Sequence, residues 1–172
     1  MKKLSMAAGM ILFLTGCVAT QRGVAQIKGT SPNSKLTGTA VFTQTSSGLK
    51  TTIQIANAPP GNHGIHIHEK GDCADSGKAA GGHFNPGHVS HGLLPKDGAE
   101  HAHAGDMGNI AIGENGSGSL ELILPGLVLK EGPRAIDGRA VILHEKTDDF
   151  SQPTGNAGGR IGCGVIAVKS SD

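Results

Sequence analysis

Leu49-Lys50-Thr51-Thr52-Ile53-Gln54-Ile55 sets Leu, Thr, Ile and Ile against Lys, Thr and Gln in strict alternation. That is the period of a half-buried β-strand. Ser46-Ser47-Gly48 precedes it as a turn, and Asn57-Ala58-Pro59-Pro60-Gly61 breaks the chain after it. Working outward, Leu36–Phe42 carries β-branched residues in looser alternation, and His63–Glu69 resumes period two. Strand patterns return at Asn109–Ile112, Ser119–Leu124, Ala140–His144 and Ile161–Val168. Glu114-Asn115-Gly116 reads as a hairpin turn between the first two of these. No 3.6-residue period is sustained beyond the N-terminal segment. Seven or eight short strands joined by turns predict an all-β sandwich or barrel.

Composition narrows the function. The 172 residues carry 15 basic and 14 acidic side chains, a net charge of +1, without the basic excess that marks a nucleic-acid binder. Trp and Tyr are absent and Phe occurs four times, so aromatic platforms for single-stranded nucleic acid are missing too. The core must therefore be Val, Ile, Leu and Ala. At 37% hydrophobic and 17% charged residues, the chain is not of the highly charged disordered class. The 28 Gly and 8 Pro follow no triplet period, which excludes collagen and predicts many turns and close backbone approaches. Histidine is the anomaly, with nine residues of which eight fall between His63 and His103.

The N-terminus reads as an address. Met1-Lys2-Lys3 is a positive n-region, and Leu4–Leu14 is an apolar run of eleven residues, too short for a membrane-spanning helix and right for a secretory signal. It runs into Leu14-Thr15-Gly16-Cys17, which resembles a bacterial lipobox; the alternative is an ordinary signal peptide cleaved near Ala19. On the lipobox reading residues 1–16 are the signal peptide, Cys17 is acylated, 17–27 are a tether and 28–172 form one domain. Val18 after Cys17 resembles the outer-membrane sorting pattern, so the expected location is the periplasmic face of a bacterial membrane, the outer one preferred. Cys73 and Cys163 then remain as one even pair in an exported chain, either bridged or present as two buried thiols. A bridge would close a long loop and contribute at most roughly 4–5 kcal/mol on chain-entropy grounds.

Lys70–Gly108 has no sustained period and is dense in Gly, His, Asp and Pro. A loop this long in a compact domain is expected only where it is functional and tied down. At its entrance His66-Ile67-His68 places two imidazoles on one face of a strand, with Ile67 on the other. His83, His91, His103 and Asp106 follow. One histidine on a strand is usually structural, but this set has metal-site character, because neutral imidazole suits copper and zinc and a carboxylate readily completes a zinc site.

Five blocks resemble the copper–zinc superoxide dismutases, in that family's order across most of residues 38–168. They are Gly64-Ile65-His66-Ile67-His68-Glu69-Lys70-Gly71-Asp72-Cys73; Gly81-Gly82-His83-Phe84-Asn85-Pro86 with His91-Gly92; and His103-Ala104-Gly105-Asp106-Met107-Gly108-Asn109. Val141-Ile142-Leu143-His144-Glu145-Lys146-Thr147-Asp148-Asp149 and Gly155–Ile166 complete the set. The resemblance implies a Greek-key, immunoglobulin-like barrel of about eight antiparallel strands with long metal-binding loops. It implies His66, His68, His83 and His144 as copper ligands, and His83, His91, His103 and Asp106 as zinc ligands, with His83 bridging. Asp148 would tie a copper histidine to a zinc histidine, Arg160 would guide an anion to the copper, and Cys73–Cys163 would be a disulfide. Arg160 read without the family is a surface salt-bridge partner. His63 is expected to hydrogen-bond within the loops without binding metal.

The activity implied is dismutation of superoxide to dioxygen and hydrogen peroxide by alternate reduction and oxidation of copper. Two further classes remain, a copper or zinc carrier without turnover and a structural domain binding zinc alone. The complete ligand set with Arg160 and Asp148 favours the enzyme. The chain departs from many relatives in the spacing of His91 and His103, in the extra His88 and His101, and in a short His144–Arg160 segment. Lys78, Lys96 and Lys146 are candidates for the steering charges that a longer segment would carry. Relatives differ in whether they dimerise, so a homodimer is left open.

Overall fold

The computed structural model describes residues 21–170; the expected signal peptide and Cys17 lie outside them. Eight antiparallel strands form one sheet that nearly closes into a barrel: β1 (Gln21–Gly29), β2 (Thr37–Thr45), β3 (Gly48–Ala56), β4 (Gly61–His68), β5 (Asp106–Ile112), β6 (Gly118–Leu124), β7 (Ala140–His144) and β8 (Arg160–Ser170). Their spatial order is β5-β4-β7-β8-β1-β2-β3-β6. The connections β3–β4 and β6–β7 therefore cross between the two halves, the Greek-key arrangement.

The alternation in β3 is realised as expected: Leu49, Thr51, Ile53 and Ile55 are buried while Lys50 and Gln54 are exposed. Inside the barrel these meet Ile27, Phe42, Ile65, Ile67, Ile110, Leu124, Val141, Leu143 and Ile166, an almost wholly aliphatic core. On β4 and β7 the alternation disappears, since Gly64–His68 and Ala140–His144 are buried on both faces. Ile65 and Ile67 enter the core while His66 and His68 leave from the opposite face, which the loops after β4 and β7 cover.

Two expectations need correction. The sequence suggests a tether over 17–27, yet β1 begins at Gln21 and pairs with β2 on one side and β8 on the other. Gly23, Ala25 and Ile27 face inward, and small side chains at two of those positions make the period faint in the sequence. Glu114-Asn115-Gly116 does form a turn, closed by Gly113 N donating to Ser117 O at 2.9 Å. The strands it joins nevertheless do not pair, because β5 and β6 are the two edges of the open sheet.

The loop from Glu69 to Gly105 is pinned at both ends. Cys73 and Cys163 are bridged, with Cα atoms 5.8 Å apart, and a small apolar cluster of Ala80, Ala140, Ile142 and Cys163 lies beneath the bridge. Further along, a short helix α1 (Leu94–Asp97) sinks Leu94 into the core. Gly105 returns the chain to the barrel, its carbonyl accepting from Ile67 N and its N–H donating to Phe84 O, both at 2.9 Å. A Cβ there would stand 2.1 Å from the Ile67 carbonyl oxygen, so only glycine permits the approach.

Candidate metal centre

Two groups of ligand-type side chains share one member. His66, His68, His83 and His144 form the first, and His83, His91, His103 and Asp106 the second; within each, the ligand atoms all lie within 4.8 Å of one another. All seven residues are buried. β4 supplies His66 and His68, β7 supplies His144, the long loop supplies His83, His91 and His103, and Asp106 opens β5. Sheet irregularities next to His66 and His144 re-aim these positions.

Hydrogen bonds fix which ring nitrogen each histidine offers. His66 donates from Nε2 to Asp148 Oδ2 at 2.8 Å, and its buried Nδ1 has no hydrogen-bond partner among the described residues. His68 donates from Nδ1 to Gly81 O at 3.0 Å, and His144 from Nδ1 to Gly158 O at 3.5 Å. Their Nε2 atoms face each other at 3.3 Å, each ring's proton being engaged on its far side. In the second group, Asp106 Oδ1 lies 2.9 Å from His83 Nδ1 and 3.2 Å from His103 Nδ1. His91 Nδ1 lies 2.9 Å from Asp106 Oδ2 without making a hydrogen bond to it.

Imidazole nitrogens and a carboxylate converging this closely in a buried site, with the Nδ1 atoms of His66 and His91 left without hydrogen bonds, fit cations at both groups. The chemistry of the donors agrees. Four imidazoles suit copper, and three imidazoles with one carboxylate suit zinc.

Burial lowers the pKa of His66 to about 4, of His144 to about 3 and of His68 to about 2, so these rings are neutral and ligand-competent at pH 7. His91 goes the other way. Burial pushes it down, but the carboxylates of Asp106 and Asp148 outweigh that and raise it to about 9. Those carboxylates are themselves held well below the usual range: burial opposes ionisation, and the surrounding histidines overcome it.

Asp148 joins the two groups. One oxygen accepts from His66 and the other accepts from His91 Nε2 at 3.0 Å. Its backbone is clamped by Asn109, whose Oδ1 accepts from Asp148 N at 2.7 Å and whose Nδ2 donates to Asp148 O at 2.9 Å. Gln152 makes the same two-bond clamp on the backbone of His91, both bonds 2.9 Å. Neither amide was singled out in the sequence, because each acts on main chain far away along it and leaves no local pattern.

Arg160 sits at the start of β8 beside a cavity of about 190 Å³ lined by His68, His83, His144, Thr154 and Gly158 among others. Among the described residues, its guanidinium is paired with no acid. Nη1 donates to Gly77 O at 2.5 Å and Nη2 to Gly81 O at 2.6 Å, so carbonyls orient a positive charge at the mouth of the four-histidine group. His63 belongs to neither group, and its ring nitrogens lie 2.9 Å from the carbonyl oxygens of His144 and Pro59. His88 and His101 are exposed and belong to neither group, and Lys78, Lys96 and Lys146 are exposed as well. A larger recess of about 650 Å³ on the outer face of β1, β2, β3 and β6 contains no ligand-type histidine or carboxylate.

An antiparallel Greek-key barrel carrying two buried, joined ligand groups under its loops defines a class, that of β-barrel proteins able to hold two adjacent metal ions. Within it, the family described as copper/zinc superoxide dismutase (SODC) matches residues 36–166, and the chain belongs to that family. Among solved structures, the crystal structure of the clock protein EA4 is similar at 39% identity with a TM-score of 0.75. That likeness covers 90% of this chain and 99% of the other.

Proposed function

We propose that the protein dismutates superoxide to dioxygen and hydrogen peroxide, with copper held by His66, His68, His83 and His144 and zinc by His83, His91, His103 and Asp106. The observation that carries this reading is the sharing of His83 by two complete ligand groups. A carrier of one metal has no use for a shared ligand, and a structural zinc site has no use for three further histidines. Copper held by the first group would supply one-electron redox cycling between superoxide oxidation and superoxide reduction, and redox-inert zinc held by the second would tie down the loop and tune His83.

The side chains do the rest. Arg160, preset by Gly77 and Gly81, binds the small anion by charge, and the narrow cavity excludes larger ones. His83 bridges the two groups. Its Nδ1 lies on the Asp106 side, and its Nε2 would take up a proton from water between the two half-reactions. It returns that proton to the second superoxide as peroxide forms, and water supplies the other proton. Asp148 holds His66 and His91 in register throughout.

The same reading places the protein outside the cytoplasm. Residues 1–16 direct export, Cys17 carries the lipid, and the enzyme faces the periplasm from a bacterial membrane, the outer one preferred, removing superoxide from the envelope. A homodimer is the assembly to look for by sedimentation.

The test is metal content and superoxide removal measured together on the wild type and on His144→Ala. Copper and zinc near one each per chain with cyanide-sensitive turnover is the expected wild-type result. His144→Ala should keep its fold and zinc but lose turnover by at least about 100-fold. Normal turnover per copper in that variant would remove the ligand assignment. Full loading of the wild type without turnover would make it a metal-holding protein instead.

A further inference from the structure

The segment Asp148–Gln152 grips one residue of the long loop, His91, in three different ways. The Asp148 carboxylate accepts from the ring at Nε2. The Phe150 ring lies nearly parallel to the imidazole, 20° between planes with centroids 6.3 Å apart. Gln152 takes the backbone, with Oε1 accepting from His91 N and Nε2 donating to His91 O, each at 2.9 Å. The next residue is also held, since Gly92 N donates to Asp106 Oδ2 at 2.9 Å. The aim of His91 Nδ1 is therefore fixed from both sides of its own peptide plane.

Gln152 does this from a segment in which nothing else reaches the loop backbone around His91. Ser151 and Asn156 bond to each other and to Asp149, which organises the segment internally. Gln152 also walls a recess of about 500 Å³ that opens onto His83 and His103, so the Asp106-side group has its own face toward solvent. A ligand group open on one side depends on how stiffly its members are held.

We propose that Gln152 is a positioning residue for the zinc group, fixing His91 through its backbone and thereby setting how slowly that group releases its metal. The proposal rests on the zinc reading of His83, His91, His103 and Asp106. Partners that orient a metal ligand typically change affinity by about 10–100-fold when removed, and two hydrogen bonds that together close a side-chain amide onto a peptide group are of that kind. The copper group takes no support from Gln152, because His66, His68 and His144 are oriented by Asp148, Gly81 and Gly158.

The experiment uses the copper- and zinc-loaded protein, and cobalt in place of zinc for spectroscopy. Gln152→Met keeps the side chain's length and removes both hydrogen bonds. It should release zinc to a chromophoric chelator about 10–100-fold faster and alter the visible cobalt spectrum. The copper electron-paramagnetic spectrum should remain that of the wild type, and the metal-free melting temperature should fall by only the few degrees, roughly 4–8 °C, that two lost hydrogen bonds cost. Ser151→Ala, in the same segment, should release zinc at the wild-type rate. Wild-type release and cobalt spectrum in Gln152→Met would overturn the proposal, as would equal loss of both metals with a metal-free melting temperature lowered further than that, which is the mark of a merely structural residue. A wild-type chain that takes up neither zinc nor cobalt would overturn the zinc reading itself and this inference with it.

Discussion

Gly155 shows how little freedom the centre leaves a single residue. Its φ is +73°, and a Cβ there would fall 1.8 Å from Asp148 Oδ1 and 2.7 Å from His91 Nε2. The space a methyl would need is the space through which Asp148 reaches His91. Gly155→Ala must therefore both strain the backbone and displace the carboxylate. We expect a loss of well over about 1 kcal/mol in the metal-free chain together with weakened zinc binding, measured by urea unfolding and by zinc titration. A variant matching the wild type in both would mean that Asp148 is not held where described. The histidines and Asp106 were legible at this scale because metal ligation demands a few residue types, and a strand puts i and i+2 on one face. Asn109 and Gln152 were not, because an amide clamping distant main chain looks like any other loop amide.

At the scale of elements, β1 is the instructive case. Read as a tether, it is in fact hydrogen-bonded on both sides, and Gly23 lies against Phe42, Leu129 and Ile166. A chain lacking residues 1–20 should fold and melt cooperatively. One lacking residues 1–27 should expose β2 and β8 along two unpaired edges and show no cooperative transition by circular dichroism. Cooperative melting of the shorter chain near the wild-type temperature would restore the tether. The strands with Ile, Leu and Val at inward positions were readable from period two alone; β1 was not, since glycine and alanine carry little hydrophobic contrast. Likewise the turn at Glu114–Gly116 was readable, but a turn does not say whether its strands close or leave a barrel open.

For the whole molecule, the opposed pKa shifts predict a pH optimum in the metal-free chain. His66, His68 and His144 are depressed in the fold. The unfolded chain therefore binds more protons below about pH 6.5, and stability falls as pH drops from there toward about 4. His91, raised to about 9, stabilises the fold fully below about 6.5 and loses that contribution as pH rises through 9. The melting temperature of chelator-treated protein should thus peak near pH 6.5 and decline on both sides. A midpoint still climbing between pH 7 and 9 would contradict the charge assigned to His91. Metal at both groups displaces these protons, so the loaded protein should show a flatter profile over the same range.

The placement of β1 also bears on how an anchored molecule would stand. With Cys17 acylated as proposed, the anchor would sit four residues along the sequence before Gln21, where β1 begins. Gln21 pairs with Ser170, whereas Lys28 and Gly29 lie level with Cys163 and Gly162, next to Arg160. Seven residues of strand separate the two levels, on the order of 20 Å. An anchor at that end of the strand would be remote from the arginine-guarded opening, so mooring the barrel there leaves the approach of diffusing anions unobstructed.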